Sequence, residues 1–323
     1  ESALATAIEE EWRASEPVPA FGDMMAEAQR WVPVELGADG RSGALPLLGG
    51  WCTLGFDSDG GLIVRSDRLQ WTRPLGALVY QTLNDESFDD YRAQYLVGWA
   101  KTSDSKVTYG KPGLTAAIAP ERLWSPRLSE AHVSNASTGS AVVARLQFAA
   151  AAHQQFGAPS EAWVRLEIGT AESRRLNLTV QLVNKTSTRI GEAMYLRVPN
   201  PDADGEWLMD KVGEFSSPLD QVDGSGKGLS YVTSGLAYVT AAQPPQTLVV
   251  ESLDAGLVRW GAPMPFPTPL RGNVSLAEGA SFVLFDNVWN TNFLFWWPYV
   301  GAAEATPDGV HADAVFRWRF HLP

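Results

Sequence analysis

Arg175-Leu176-Asn177-Leu178-Thr179-Val180-Gln181-Leu182-Val183-Asn184-Lys185 is the stretch that decides the fold class. Leu176, Leu178, Val180 and Leu182 alternate with Asn177, Thr179 and Gln181, and a period of two belongs to a β-strand, whose successive side chains point to opposite faces. The alternation predicts one buried face and one wet face, as in an antiparallel sheet. Phe316, Trp318 and Phe320, alternating with Arg317 and Arg319, repeat it near the end of the sequence. A strand placed there is expected to pair inside a sheet. Shorter runs rich in Val, Leu, Phe, Trp and Tyr, broken by Gly, Pro, Asn and Asp, add Trp51–Phe56, Leu62–Val64, Leu78–Thr82, Ala141–Phe148, Trp163–Ile168, Ala193–Val198, Thr247–Ser252 and Ser281–Phe285. From Pro33 onward the reading is therefore mainly β, with about a dozen strands and no fixed-period repeat, which points to a large antiparallel sandwich.

Helical texture is confined to two places. Leu4, Ile8 and Trp12 recur every four residues before Pro17 and Pro19, with no capping residue ahead of them, as in a helix whose start has been cut away; a short second helix is expected from Asp23 to Trp31. A third, from Asp85 to Trp99, carries Phe88, Tyr91, Tyr95 and Trp99 on one stripe and reads as an insertion packed on the sheet. The expected organisation is a helical segment over residues 1–45 and one β domain over 46–323.

Composition excludes several classes. The 323 residues carry 25 Lys plus Arg against 37 Asp plus Glu, a net charge of −12, and no basic run exists to meet phosphates, so no nucleic-acid partner is expected. An apolar fraction of 45% is that of a folded globular protein. No stretch approaches the roughly 20 apolar residues of a membrane-spanning helix. Cys52 is the only cysteine, which excludes an internal disulfide and a thiolate cluster. Sequons at Asn135, Asn177, Asn184 and Asn273 matter only on a secretory route, and the compartment stays open.

Catalytic signatures fail one after another. Gly224-Ser225-Gly226-Lys227-Gly228 has no Ser or Thr after its lysine and no strand–helix context, so it reads as a turn. Asn200-Pro201-Asp202-Ala203-Asp204-Gly205 opens like a calcium loop, but Lys211 stands at the twelfth position, where a bidentate glutamate is needed. His132, His153, His311 and His321 lack metal-ligand spacing, and no nucleophile elbow occurs. A pair of carboxylates for glycosidase chemistry has no sequence spacing by which to be found.

What stands out is the aromatic run from Phe285 to Tyr299: Phe285-Asp286-Asn287-Val288-Trp289-Asn290-Thr291-Asn292-Phe293-Leu294-Phe295-Trp296-Trp297-Pro298-Tyr299. Aromatic faces stack on the C–H faces of sugars while Asn and Asp bind hydroxyls, so a carbohydrate surface is one reading. The other is a seam between two sheets, with the asparagines serving turns.

Asn287-Val288-Trp289-Asn290-Thr291-Asn292-Phe293 resembles the N-x-W-G-T-N-F signature near the C-terminus of proteins related to glycoside hydrolase family 38, the α-mannosidase type. Further pieces are similar, in order, to an uncharacterised branch grouped as domain-of-unknown-function family 5054: Pro74-Leu75-Gly76, Tyr80-Gln81-Thr82, Tyr109 to Leu114, Glu192-Ala193-Met194-Tyr195, Trp207-Leu208-Met209-Asp210-Lys211-Val212-Gly213, Pro218-Leu219-Asp220 and Ser252-Leu253-Asp254-Ala255.

The resemblance implies a three-part protein: an α/β barrel with the active site, a helical bundle, and a galactose-mutarotase-like β supersandwich, of which this chain is the last part and residues 1–45 the tail of the bundle. The barrel would hold a zinc ion and supply an Asp nucleophile, so no cofactor and no catalytic residue is expected here. Asp210, Lys211, Asn287, Trp289, Asn290 and Asn292 are the candidate carbohydrate contacts; Asp210 and Lys211 read equally as a surface ion pair. Asn290 replaces the signature's glycine, and Gly228-Leu229-Ser230 stands where a His-Leu-His-like run is expected. Two functions follow: the non-catalytic sandwich of a glycoside hydrolase, partnered by its own barrel and bundle, or a free-standing carbohydrate-binding or structural sandwich.

Overall fold

A computed structural model describes residues 21–45, 47, 51–66, 70–84, 86–95, 119–136, 139–170, 175–186, 188, 190–287 and 316–322. Its helices are α1 (Phe21–Arg30), α2 (Asp89–Tyr95) and α3 (Ala150–Phe156). The strands, in chain order, are β1 (Val32–Pro33), β2 (Cys52–Phe56), β3 (Leu62–Ser66), β4 (Gln70–Leu75), β5 (Ala77–Leu83), β6 (Arg122–Trp124), β7 (Arg127–Ala136), β8 (Gly139–Gln147), β9 (Glu161–Ile168) and β10 (Leu176–Val183). They continue as β11 (Gly191–Val198), β12 (Glu206–Lys211), β13 (Glu214–Ser216), β14 (Leu229–Tyr231), β15 (Gly235–Val239), β16 (Thr247–Ser252), β17 (Leu257–Trp260), β18 (Ala280–Asn287) and β19 (Phe316–Leu322).

Three antiparallel sheets result. Ten strands run β1-β7-β8-β9-β10-β19-β16-β15-β12-β13, six run β14-β17-β18-β11-β5-β6, and β2-β3-β4 form the third. One continuous core joins them, with Leu178, Val180 and Phe320 from the large sheet, Leu196, Tyr80 and Phe282 from the six-stranded sheet, and Phe56 and Trp71 from the small one. The fold is mainly β, a sandwich of antiparallel sheets with few helices, as the alternating runs predict. Among the described residues no helix is long and apolar enough to cross a membrane.

β10 bears out the opening reading on its inner face, where Leu176, Leu178, Val180 and Leu182 are buried. Its other face is drier than expected: Gln181 and Val183 are buried too. The reason is α1, whose Met24 and Ala28 pack on Val143, Trp163 and Val183 of β8, β9 and β10, while Glu27 pairs with Arg165 at 2.9 Å. β19 lies inside the large sheet, between β10 and β16.

The helix expected from Asp85 to Trp99 is shorter where it is described, a 3₁₀ turn over Glu86–Phe88 followed by α2. Phe88 and Tyr91 sit 4.9 and 5.1 Å from the Phe266 ring, holding this insertion against the loop after β17. The first expected helix, Leu4 to Trp12, lies outside the described residues.

Both rejected motifs are turns wired by protein groups. Gly224 and Gly226 adopt positive φ, and Lys227 pairs with Asp223 at 2.6 Å. In the calcium-like loop, Asn200 accepts from Trp207 Nε1 at 2.7 Å and donates to the Leu276 carbonyl, while Asp202 Oδ1 accepts from Gly205 N and the Tyr238 hydroxyl.

Candidate functional site

Strands β5, β11 and β18 are neighbours in the six-stranded sheet, and their register sets Glu192 opposite both Thr82 and Asn287. Side chains alternate along strands, so Tyr80, Glu192 and Met194 share the face toward the core, while Gln81, Ala193 and Tyr195 share the opposite face. On the inner face lies a closed charge network. Lys185 Nζ stands 2.9 Å from Glu192 Oε2 and 3.0 Å from Oε1, and donates to the Thr186 carbonyl at 2.6 Å. Thr188 Oγ1 donates to Oε1 at 2.8 Å, and the Tyr80 hydroxyl donates to Oε2. The aromatic rings of Phe285 and Tyr80 lie 5.4 and 5.9 Å from the ammonium.

Burial, reinforced by the adjacent Glu192 carboxylate, pushes the Tyr80 pKa far above the ordinary phenol range, so the hydroxyl stays a donor. Glu192 is 2% exposed and already accepts from four groups. A carboxylate so occupied braces the fold rather than attacking a substrate. Asn287 belongs to the same brace: its Nδ2 lies 2.9 Å from the Thr188 carbonyl, 3.3 Å from that of Ile190 and 3.3 Å from Glu192 Oε1. It ties the end of β18 to Thr188 and Ile190, which precede β11. Trp289, Asn290 and Asn292 lie outside the described residues.

On the opposite face the Tyr195 hydroxyl donates to Gln81 Oε1 at 2.7 Å, and burial raises its pKa well above the usual value. Arg259 donates to the carbonyls of Ala262, Phe266 and Thr268, and burial lowers its pKa. Beside α2, a cleft of about 610 Å³ has Gln94, Pro269, Leu270 and Arg271 on its described wall. Among the described residues no group of three or more His, Cys, Asp and Glu side chains lies together as a metal site would require.

Asp210 and Lys211 stand elsewhere, at the end of β12 in the large sheet. Lys211 lies opposite Glu214 in the backbone register across a two-residue turn, Val212-Gly213, whose φ angles are +59 and +88. Two successive left-handed residues make the hairpin turn that matches strand twist, normally built from Asn or Asp with Gly. A valine there is strained by roughly 1–2 kcal/mol. Its surroundings impose the conformation: Gly213 N donates to Asp210 Oδ1 at 2.7 Å, Val212 N to Thr233 Oγ1 at 2.8 Å, and Ser234 Oγ to Asp210 Oδ2. The hydrogen bonds from Ser234 and Gly213 hold the Asp210 carboxyl below its usual range.

Asp210 and Lys211 are not an ion pair, because the Lys211 ammonium donates to the Tyr231 carbonyl instead. Nor do they adjoin Asn287 within one sheet. The Ser230 departure has a packing reason: its hydroxyl, 3% exposed, accepts from Gln221 Nε2 at 2.7 Å and Trp260 Nε1 at 3.0 Å. Sequence reading missed Lys185 and Thr188, for which no spacing rule exists, although Glu192 and Tyr80 both lie in motifs it had singled out.

No protein-family model matches this sequence, and no curated protein matches it. Among solved structures, an α-mannosidase from Enterococcus faecalis V583 is similar over 90% of this chain and 29% of its own, with a TM-score of 0.45 and 9% identity. A protein in glycosyl hydrolase family 38 from Enterococcus faecalis is similar over 90% and 30%, with a TM-score of 0.42 and 7% identity. The chain thus spans less than a third of the length of either structure.

Proposed function

We propose that these 323 residues are the non-catalytic β-sandwich portion of a glycoside hydrolase family 38-like protein of the family 5054 branch. The observation that carries this reading is the meeting of separate motifs at one carboxylate. Tyr80 and Asn287, 112 and 95 residues from Glu192 in sequence, both bond to it. Short matches arising by chance have no reason to meet in space. The closed network suits a scaffold, since rigid elements with locked side chains position a site better than loops do. In this role the sandwich supports a barrel supplied by the rest of the protein, which holds the zinc ion and the nucleophile. Of the six candidate residues, Trp289, Asn290 and Asn292 are the proposed contacts to carbohydrate, while Asn287 serves the Glu192 brace and Asp210 and Lys211 serve the hairpin after β12.

The test pairs an activity assay with a mass. Purified residues 1–323 should fold and leave 4-nitrophenyl α-mannoside intact with or without zinc, because a binding surface supplies no nucleophile. The native polypeptide should be much heavier than 35.1 kDa and hydrolyse it in a chelator-sensitive way. Chelator-resistant turnover by the 323 residues alone would sink the assignment. A native mass near 35.1 kDa would instead favour the free-standing carbohydrate-binding or structural sandwich.

A further inference from the structure

Among the described residues ten large apolar side chains are exposed, and six of them, Val212, Phe215, Leu219, Val222, Tyr231 and Leu253, fall within 42 residues of sequence. Val212 is 89% exposed, Val222 77% and Tyr231 66%. Hydrogen bonds knit the segments that carry them. Lys211 Nζ reaches the Tyr231 carbonyl, Val212 N reaches Thr233 Oγ1, Gln221 Nε2 reaches Ser230 Oγ, and Ser252 N reaches the Ser234 carbonyl. The place is where both large sheets stop: β13 is the last strand of one and β14 the last strand of the other. Sheet edges that carry apolar side chains are the surfaces natural proteins ordinarily blunt or cover.

Charge says what fits there. The Lys227 ammonium is offset by Asp223, whereas Lys211 keeps its charge while donating to a carbonyl; against that one charge stand three carboxylates, Asp210, Glu214 and Asp220. Glu214 and Asp220 are exposed, and neither is in an ion pair among the described residues. A second copy of this chain would bring those carboxylates, and a net charge of −12, against their own kind.

We propose that this face docks another protein whose contact surface has an apolar centre and a basic rim. The inference goes beyond the function proposed above and does not depend on it. The strained Val212 turn serves it, because a protruding apolar tip held in one conformation loses little entropy on docking.

The test uses a fluorescein-labelled amphipathic helical peptide with Leu on one face and Lys on the other, and its Leu/Glu counterpart, in 150 mM salt. The full chain should bind the Lys peptide and not the Glu peptide. Val212→Asn with Phe215→Ser, and separately Glu214→Lys with Asp220→Lys, should each weaken binding at least tenfold. Val32→Asn, an exposed apolar change on β1 at the opposite edge of the large sheet, should leave it unchanged. Melting curves confirm that each variant is folded, and the charge pair keeps the test intact should the apolar pair unfold. Equal binding by all proteins, or none by the parent, overturns the proposal. So does a dimer in sedimentation equilibrium that the Val212/Phe215 variant abolishes, since the occupant is then a second copy.

Discussion

Lys185 and Glu192 form an ion pair 2.9 Å long with 7% and 3% of their side chains in contact with solvent. Two charges taken out of water gain little net stability from each other, yet removing one strands the other. Glu192→Gln is therefore expected to destabilise the chain by about 3–5 kcal/mol. Adding Lys185→Met to that variant should recover a good part of the loss. Urea midpoints measure both, and a single-variant loss under about 1 kcal/mol would mean the ammonium finds water when its partner is gone.

The Val212-Gly213 turn yields a prediction of the opposite sign. Asn tolerates the left-handed region that valine resists, and Asn-Gly is a favoured pair for this turn. Val212→Asn should stabilise the chain by roughly 1 kcal/mol, seen as a higher Tm in calorimetry. A lower Tm would show that the exposed isopropyl group contributes more contact than its 89% exposure allows.

Asp210 should shape the acid side of the stability curve. Hydrogen bonds from Ser234 and Gly213 lower its folded pKa, whereas the unfolded chain keeps the ordinary value near 3.9. The contribution is full above that value and is lost as pH falls through the folded pKa. Stability of the parent relative to Asp210→Asn should thus be largest above about pH 5 and shrink below about pH 4. A difference that stays constant from pH 7 to 2 would contradict the assigned hydrogen bonds.

Ser230→His restores one residue of the run expected from the resemblance. The hydroxyl is enclosed between Gln221 and the fully buried Trp260, so an imidazole must displace packed side chains. The expected cost is about 1–3 kcal/mol in guanidinium denaturation. A neutral outcome would reveal room beside Trp260.

Cys52, half-buried on β2, has its thiol pKa pushed up to about 11 by burial. Thiolate is the reactive form, so iodoacetamide should label the folded chain slowly at pH 8 and rapidly once denaturant is added. Fast labelling of the native protein would show that β2 opens readily.

The strands legible in the sequence are those with one buried face. Leu176 to Leu182 alternates without interruption, and its boundaries lie within a residue or two of β10. β7, ten residues long, escaped the reading because its register shifts between Leu128 and Glu130, so the alternation restarts out of phase. β15 escaped because both its faces are buried: Gly235-Leu236-Ala237-Tyr238 has no polar partner to mark a period. α3 offered no apolar stripe, and of its seven residues only Ala152 is buried. The charge network was hidden for a different reason. Glu192 in sequence is an acid ahead of an apolar run, and only the pairing of β5, β11 and β18 brings Tyr80 and Asn287 to it.

The place of β19 fixes an order of assembly. Among the described residues five strands of the large sheet, β1 and β7 to β10, are joined to β16, β15, β12 and β13 within that sheet only through β19. All nine precede it in the chain, so during synthesis two half-sheets must wait with β10 and β16 as open edges until residues 316–322 emerge to close the gap. Until then the nascent chain presents edges rich in Val and Leu to any neighbour, a period of vulnerability that chaperones or dilution must cover.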